Sequence, residues 1–393
     1  MYVFERCYNF MKNKSRSSKG TSIANAQKKR QKRIFYARVR AFLAIVLIVG
    51  TVIGVVQFNK SLERPLSVNA ENYYQIKDKA EVDDELLEET ESIDAVVNID
   101  NINIDEEFIK YKIAQPKLRS EYPIDMSIRS EYAIVYDIQA DEVLYAKNAE
   151  QQCFPASTTK ILTAAVILDN VSEDFQFTAG DELDFVHPES SLAFLNKGNI
   201  LDLPTMIDAI ILPSGNDASY VAAANVGRVI AGNDMITTEK AVQTFVDEMN
   251  RVAMYVGAEN THFTAPDGFH DDNHYTTVLD MLKITMYARQ KPLLMQSAGK
   301  PNKYATFVSG EEISWENSNK LLHEYSDCYY MYANGFKTGM TDQSGYCVVA
   351  TAKRFEHDVV CIVFGAETSD VRWNDTIALL DAAFVQIRNR EGI

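Results

Sequence analysis

Residues 132–168 read YAIVYDIQADEVLYAKNAEQQCFPASTTKILTAAVIL. Two runs rich in β-branched and aromatic residues, Tyr132–Ile138 and Glu142–Ala146, are separated by three residues, which predicts a β-hairpin. Across Ser157–Leu168 the apolar residues recur at helical spacing, so a helix is expected soon after the hairpin. The stretch therefore predicts a domain that contains both strands and helices.

The sequence downstream continues this mixture of strands and helices. Its middle part has apolar residues at helical spacing, and strand-like runs return towards the C-terminus. The predicted helices are Thr205–Leu212, Asp217–Ile230, Glu239–Val256, Thr277–Arg289 and Val371–Arg388, and the predicted strands are Tyr304–Val308, Glu312–Trp315, Gly335–Thr341, Tyr346–Ala352 and Val359–Gly365. Because short turns link the strands, we expect an α/β (α+β) fold with one antiparallel sheet assembled from both ends of the domain. Helices flank this sheet, and a mostly helical subdomain is inserted into it.

Ser157 and Lys160 stand three positions apart at the start of the first predicted helix. Residues i and i+3 share one face of a helix, so the amine can reach the hydroxyl. A serine needs a neighbouring base to become a nucleophile, and a lysine can be that base only if burial, a second cation or a helix N-terminus lowers its pKa. The spacing alone is common: Ser297 and Lys300 repeat it, but that match runs into Pro301 and starts no amphipathic helix.

Two further motifs could support such a pair. Ser214-Gly215-Asn216 lies on a predicted interhelical turn, where its hydroxyl could relay protons and its amide could hold a substrate carbonyl or the lysine. Taken alone, such a turn is more often a helix cap. Lys337-Thr338-Gly339 lies on a late strand, where it offers a second cation, a hydroxyl for a terminal carboxylate and room for a ligand backbone. An ordinary exposed strand would look the same.

In this order, the three motifs are the signature of penicillin-binding serine acyltransferases. The sequence around the motifs strongly resembles the D-alanyl-D-alanine carboxypeptidases, the low-molecular-weight penicillin-binding proteins of peptidase family S11. These proteins have a β-lactamase/transpeptidase-like fold. The segments that carry this resemblance are PASTTKILTA, LPSGNDAS, NTHFTAPDGFHDDNHYTT, ENSNKLL and GFKTGMTDQSGYCVVA. The resemblance runs from about Tyr132 to the last predicted helix.

The resemblance implies a role for each motif residue. Ser157 would attack the carbonyl of the penultimate D-Ala in a peptidoglycan stem peptide, and Lys160 would be its general base. Ser214 and Asn216 would carry protons and position the substrate. The backbone N–H groups of Ser157 and Met340 would form the oxyanion hole.

The same resemblance assigns substrate binding and inhibition. Thr338 and Arg372 would recognise the free carboxylate of the terminal D-Ala, a task that suits a planar guanidinium, although a surface arginine would look the same at this position. Lys337 and Gly339 would complete the binding strand. β-Lactams would acylate Ser157, and no cofactor or metal is implied.

A histidine-rich segment offers a competing reading as a metal site. Its candidate ligands are His262, His270, His274, Asp271 and Asp272. The spacing of histidines alone is a weak indication of a metal site. The segment also belongs to the sequence that resembles the S11 family, in which it has no metal-binding role. We therefore interpret it as a structural loop.

Several activities remain open on this scaffold. Gly215 fits the carboxypeptidase branch and argues against class A β-lactamases, and no E-x-x-L-N segment lies between Asn216 and Lys337. A β-lactamase or a D,D-endopeptidase on the same scaffold is the nearest alternative. A penicillin or wall-peptide sensor without turnover is another, although the short N-terminal tail offers no recognisable output domain.

Charge divides the chain into regions. The formal net charge is −16 over 393 residues, yet residues 1–40 hold twelve Lys or Arg and one acid, and the run 41–58, AFLAIVLIVGTVIGVVQF, has no charge. This pattern predicts a basic cytoplasmic tail (1–40), a single transmembrane anchor (41–58), an acidic extracytoplasmic stalk (59–121) and an extracytoplasmic catalytic domain (122–393). A cleaved signal peptide and a buried helix are the alternatives for 41–58. Orientation already accounts for the basic tail, so we expect no nucleic-acid partner.

Overall fold

In the computed structural model, residues 123–392 are described, together with the single residue Pro116. The predicted tail, the membrane anchor and almost all of the stalk lie outside the described residues. Within 123–392, no helix combines the length and the apolar composition needed to cross a bilayer. The anchor at 41–58 therefore stays a prediction from the sequence.

The described part contains strands β1–β9 and helices α1–α7. The strands are β1 Tyr132–Asp137, β2 Glu142–Lys147, β3 Gln176–Thr178, β4 Ile200–Asp202, β5 Asn302–Thr306, β6 Glu312–Glu316, β7 Ala333–Thr341, β8 Gly345–Arg354 and β9 His357–Ala366. The helices are α1 Lys160–Asn170, α2 Leu203–Ile211, α3 Asn216–Ala231, α4 Thr238–Tyr255, α5 Val278–Ala288, α6 Pro292–Ala298 and α7 Ser369–Glu391, with 3₁₀ turns at Ala156–Thr159, Asp181–Phe185 and Lys320–Leu322.

Five strands form the main sheet in the order β2-β1-β9-β8-β7, and every neighbouring pair is antiparallel. β1 and β2 come from the start of the domain, whereas β7, β8 and β9 come from its end. The two groups join where β1 pairs with β9, in a register that sets Ala133 opposite Val363. This confirms the prediction of one antiparallel sheet assembled from both ends of the domain.

Both faces of this sheet are buried. Successive residues of a strand point to opposite faces, so Ile134 belongs to the core shared with α1 and α5. Its neighbour Val135 packs into a second core with Trp373 and Phe384 of α7. The sheet is thus a layer between the inserted helices and the closing helix, which agrees with the predicted architecture.

The second predicted strand pair departs from the expectation. β5 and β6 pair only with each other and form a separate two-stranded sheet, so the prediction that they extend the main sheet was wrong. Only one face of this hairpin is buried, and the indole N–H of Trp315 donates to the carbonyl of Ala193 in the helical subdomain at 3.1 Å. The hairpin covers the subdomain instead of joining the sheet.

Short elements were not predicted at all. β3 and β4 have three residues each and α6 has seven. Elements of this length carry fewer than two full turns or alternations, so their pattern cannot be separated from loop sequence.

The second Ser-x-x-Lys match has a structural role. The hydroxyl of Ser297 and the amine of Lys300 both donate to the buried carboxylate of Asp208, at 2.7 and 2.8 Å to Oδ1. The amine also lies 2.7 Å from Oδ2. This cluster ties α6 and its following turn to α2, and its lysine is held as an ion-pair partner.

We expect Lys300→Met to lower the free energy of unfolding by about 3 kcal/mol, because it leaves the Asp208 carboxylate buried without its cation. Denaturant titration of the full chain measures this effect, and Lys240→Met, on the exposed face of α4, is the matched control. A change of less than about 0.5 kcal/mol, as expected of an exposed surface position, would contradict the assigned role of the ion pair.

Candidate active site

Ser157 lies on a 3₁₀ turn, Ala156–Thr159, that runs directly into α1 at Lys160. The sequence predicts an α-helix from Ser157, whereas the structure has a 3₁₀ turn there. Because a 3₁₀ turn places side chains i and i+3 directly above one another, it brings the side chains of Ser157 and Lys160 together. The amine of Lys160 lies 3.0 Å from the Ser157 hydroxyl oxygen. Ala156 has φ 48°, the left-handed region that is strained for alanine. The chain thus presents Ser157 on a sharply turned backbone.

The Lys160 amine is fully buried and has three acceptors around it. It donates to the Asn216 side-chain oxygen at 2.7 Å and to the Asp267 carbonyl at 2.5 Å, besides contacting Ser157. Burial lowers the pKa of Lys160 to about 8, although the negative charges of Asp267 and Asp217 oppose the shift. About a tenth of the amine is therefore uncharged at pH 7 and can accept a proton.

The Ser-x-Asn turn places Asn216 at the first position of α3. Its amide N–H donates to the Ser190 hydroxyl at 2.8 Å while its oxygen accepts from Lys160, so the amide bridges two elements. Gly215 has no room for a side chain: a Cβ there would lie 2.7 Å from the Ala209 carbonyl. Close packing in this fold accounts for the glycine that the sequence has in the middle of the motif.

Ser214 is buried with φ 62°, and its carbonyl accepts a 2.7 Å hydrogen bond from the Ser191 hydroxyl. These contacts fix the turn that carries Asn216. The proton-carrying role of the Ser214 hydroxyl stays a prediction.

Asp267 is a part of the site that the sequence reasoning missed. Its backbone carbonyl binds Lys160 and lies 3.5 Å from the Ser157 hydroxyl. The side chain is buried, and burial raises the pKa of its carboxyl. The sequence offered one signal here, the Pro266-Asp267-Gly268 triplet, which is typical of a turn. It does not identify a site residue, because a backbone carbonyl can be supplied by any type of residue.

The Lys-Thr-Gly triplet lies on β7, the edge strand of the main sheet. A Cβ on Gly339 would lie 2.9 Å from the Ser157 nitrogen and 3.0 Å from the Pro155 carbonyl, so the glycine allows β7 to pass directly beside the nucleophile. An edge strand leaves alternate backbone groups unpaired and available to an extended peptide. Met340 follows the triplet, and its side chain is 54% exposed at the rim of the cleft.

Lys337 is buried, and its amine donates to the Thr338 carbonyl at 3.0 Å. Burial lowers the pKa of Lys337 well below its ordinary value, and the positive charges of Lys160 and Arg372 act in the same direction. The positive charge of Lys160 thus acts on the Lys337 amine. The role of Lys337 as a second cation that acts on Lys160 stays a prediction.

Thr338 and Arg372 sit on two sides of the late strands. The Thr338 hydroxyl lies 2.6 Å from the hydroxyl of Ser318, a second site residue that the sequence reasoning missed. Arg372 is buried in the first turn of α7 and donates to the carbonyls of Cys347 at 3.2 Å and Gly339 at 3.5 Å. In this arrangement the guanidinium supports the β7–β8 backbone, and its contact with a substrate carboxylate stays a prediction.

A cavity of about 320 Å³ opens over Ser157. One wall is the Ser190–Asn216 side, another is the loop with Phe269 and His270, and the third is the end of β7 at Met340. The cavity brings the nucleophile, the amide and the binding strand to one opening.

The histidine-rich segment is held together by its own hydrogen bonds. The backbone N–H of Thr264 donates to His274 Nδ1 at 3.1 Å, which places the ring proton on Nε2, and Nε2 donates to the Thr159 hydroxyl at 2.8 Å. Burial lowers the pKa of His274 to about 3, so the ring is neutral. His274 thereby links the loop to the nucleophile's turn. In residues 123–392, no three His, Cys, Asp or Glu side chains are grouped as a metal site.

Comparison with known proteins agrees with this geometry. The profile of the family described as D-alanyl-D-alanine carboxypeptidase, Peptidase S11, matches residues 117–368. The D-alanyl-D-alanine carboxypeptidase DacF of Bacillus subtilis is 27% identical over 266 residues, which cover 67% of this chain and 64% of that protein. DacA of Escherichia coli K12, which bears the same enzyme name, is 31% identical over 270 residues, covering 65% of this chain and 61% of that protein.

Among solved structures, the crystal structure of the Streptomyces K15 DD-transpeptidase is similar with a TM-score of 0.61 and 28% identity. The alignment covers 66% of this chain and 98% of that chain. The chain therefore spans nearly all of this compact structure but less than two thirds of the length of DacF and DacA.

Proposed function

The chain belongs to the D-alanyl-D-alanine carboxypeptidase family, peptidase S11, and from that premise we propose that it is a penicillin-binding serine carboxypeptidase. Its substrate is the D-Ala-D-Ala end of a peptidoglycan stem pentapeptide, from which it removes the terminal D-Ala. One observation carries the proposal: the buried Lys160 amine, with its pKa lowered to about 8, lies 3.0 Å from the Ser157 hydroxyl. A base of this kind converts an ordinary serine into a nucleophile.

Acylation begins when the neutral Lys160 amine takes the hydroxyl proton of Ser157. The Ser157 oxygen bonds to the carbonyl carbon of the penultimate D-Ala, and the peptide C–N bond breaks. The proton passes to the nitrogen of the departing D-Ala, with Ser214 as the relay. Backbone N–H groups of Ser157 and Met340 stabilise the negative charge on the carbonyl oxygen.

Deacylation uses the same groups with water in place of the serine. Lys160 takes a proton from the water, whose oxygen bonds to the acyl carbon while the ester C–O bond to Ser157 breaks. The proton returns to the serine oxygen, which restores the starting enzyme.

The substrate lies along β7 because an edge strand pairs with an extended peptide backbone. Thr338 holds the free carboxylate of the terminal residue, with Arg372 close behind the strand and the Lys337 amine as a further hydrogen-bond donor. Asn216 supports the amide on the other side of the scissile bond. β-Lactams present a carbonyl and a carboxylate to the same groups and acylate Ser157.

The uncharged run 41–58 and its basic flank support an anchored enzyme with its catalytic domain outside the cytoplasm. Peptidoglycan is assembled there, so the acidic segment 59–121 would hold the domain away from the membrane surface. Protease digestion of intact cells expressing the full chain tests this, because a cytoplasmic domain would stay protected.

The reaction is tested with the full chain in detergent and a pentapeptide ending in D-Ala-D-Ala. Mass spectrometry should detect the tetrapeptide and free D-Ala, while a matched pentapeptide ending in D-Ala-L-Ala stays intact. Rapid hydrolysis of penicillin without release of D-Ala would instead indicate a β-lactamase. Stable acylation without release would indicate a sensor.

The pH dependence of acylation should follow Lys160. Only its uncharged form accepts the serine proton, so the acylation rate rises with pH and levels off above a pKa of about 8. Between pH 6 and pH 8 we expect a rise of roughly 50-fold, since the uncharged fraction changes about tenfold per pH unit well below the pKa. Stopped-flow acylation by a fluorescent penicillin measures the profile, and a flat profile would contradict the assignment of the base.

A further inference from the structure

A second cavity, of about 540 Å³, opens beside the Lys-Thr-Gly strand. Ser318 forms part of its wall, and the hydroxyl of this serine lies 2.6 Å from that of Thr338. Asp370 forms another part, two residues before Arg372 on α7. The cavity therefore begins next to Thr338, one of the two residues to which we assign the substrate's terminal carboxylate.

Negative charge predominates around this cavity. Glu316 on β6, Asp327 in the loop before β7 and Asp370 on α7 bring carboxylates from three separate elements. Lys320 is the one lysine among the lining residues, and it is exposed, as are the three acids. Three carboxylates against one amine favour a cationic occupant.

His323 adds an unpaired nitrogen to the wall of the cavity. Its ring is 4% exposed, and its Nε2 donates to the Asn317 carbonyl at 2.6 Å. In the neutral ring this leaves the lone pair on Nδ1, which has no hydrogen-bond partner, and the ring lines the cavity. A carboxylate oxygen of Glu316 lies 3.8 Å from Nδ1. An ammonium group bound to that carboxylate would neutralise it and lie beside the unpaired nitrogen of His323.

The remaining features suit an organic ammonium group. The ring of Tyr325 lines the cavity at 5.1 Å from the His323 ring and offers an aromatic face to a cation. Within 123–392 the carboxylates are not clustered as metal ligands. A primary ammonium, with three N–H donors on a flexible chain, matches acceptors that are spread in this way.

We propose that this cavity binds a cationic side chain on the residue that leaves during the reaction, and so gives the enzyme a preference for a basic D-amino acid at the terminal position. The proposal rests on the proposed function, because the carboxylate of that residue is held at Thr338. From there its side chain enters past Ser318. The peptide C–N bond then breaks as in the cleavage of D-Ala-D-Ala, and the leaving residue departs as the free basic D-amino acid.

The test compares three acylated tripeptides ending in D-Ala-D-Ala, D-Ala-D-Lys and D-Ala-D-norleucine with the full-length enzyme. Norleucine matches the length of the lysine chain without its charge. We expect kcat/KM for the D-Lys substrate to exceed that for D-norleucine about tenfold at low salt, and to fall towards it in 1 M salt. Asp327→Asn/Asp370→Asn should reduce the preference to about twofold. The double substitution should not change the rate with D-Ala-D-Ala. Asp234→Asn, at an exposed position that does not line the cavity, is the control and should leave the preference intact.

Equal rates with D-Lys and D-norleucine in the wild-type enzyme would overturn the assignment of the cavity, as would a preference that survives the double substitution. In either case the cleavage of D-Ala-D-Ala would still stand. Failure to cleave any of the three substrates would overturn the proposed function, and the subsite with it.

Discussion

Ser157→Ala should abolish covalent labelling by a fluorescent penicillin and reduce the release of D-Ala from a stem-peptide mimic by a factor of about 10⁴ or more. The substitution removes the only atom that can form the acyl bond in the proposed mechanism. The change should leave the fold intact, because the hydroxyl contacts Lys160 and a carbonyl at 3.5 Å without supporting other packing.

Ser297→Ala is the matched control, since it removes the hydroxyl of the second Ser-x-x-Lys pair, which binds Asp208. That variant should retain labelling at the wild-type rate. Release of D-Ala by the Ser157→Ala protein at the wild-type rate would show that the nucleophile has been assigned wrongly.

Lys160→Arg should lower the acylation rate by about 10³-fold, the range expected when a general base is lost. Arginine keeps a positive charge and hydrogen-bond donors near Asn216 and Asp267, but its pKa is too high for it to accept the serine proton. The variant therefore distinguishes two possible roles of Lys160, that of a general base and that of a fixed positive charge. A lysine that acted only as a fixed positive charge would be replaced by arginine with little loss.

The measurement is the rate of acylation by a fluorescent penicillin across pH 6–10, together with thermal unfolding of the same preparation. The residual rate of Lys160→Arg should lose the rise through about pH 8 that the wild type shows. Lys337→Arg, on the other buried amine, is the comparison: it should retain that rise because Lys160 remains. A Lys160→Arg profile with the wild-type shape would place the titrating group elsewhere.

The architecture could be predicted because its main elements are long and strongly patterned. The predicted bounds of β1 and β2 lie within one residue of the observed ones, and those of α1 within three. The short turns between the late strands indicated their antiparallel pairing. The pairing partner of β5 and β6 could not be predicted in the same way. Strand propensity is a property of the segment, whereas partner choice depends on which face the folded domain leaves uncovered.

In the site, residues that act through their side chains could be predicted from the sequence, whereas residues that act through their backbone could not. Ser157, Lys160 and Asn216 were found because their chemistry requires particular side chains. The structure places the Ser157 hydroxyl and the Asn216 side-chain oxygen 3.0 and 2.7 Å from the Lys160 amine. Asp267 was missed because it contributes a backbone carbonyl. For Arg372 the family resemblance implied a position at the start of the closing helix but not that its guanidinium donates to the carbonyls of Gly339 and Cys347.

The joining of β1 to β9 has a consequence for biosynthesis. The N-terminal hairpin finds its neighbour only after the late strands exist, and a contact such as that from Ser130 to Asp375 spans 245 residues. Closing so long a loop delays folding until the whole polypeptide has emerged. Nascent or truncated chains that lack the late strands should therefore carry Ser157 without a working cleft, so that acylation at Ser157 begins only once those strands have been made.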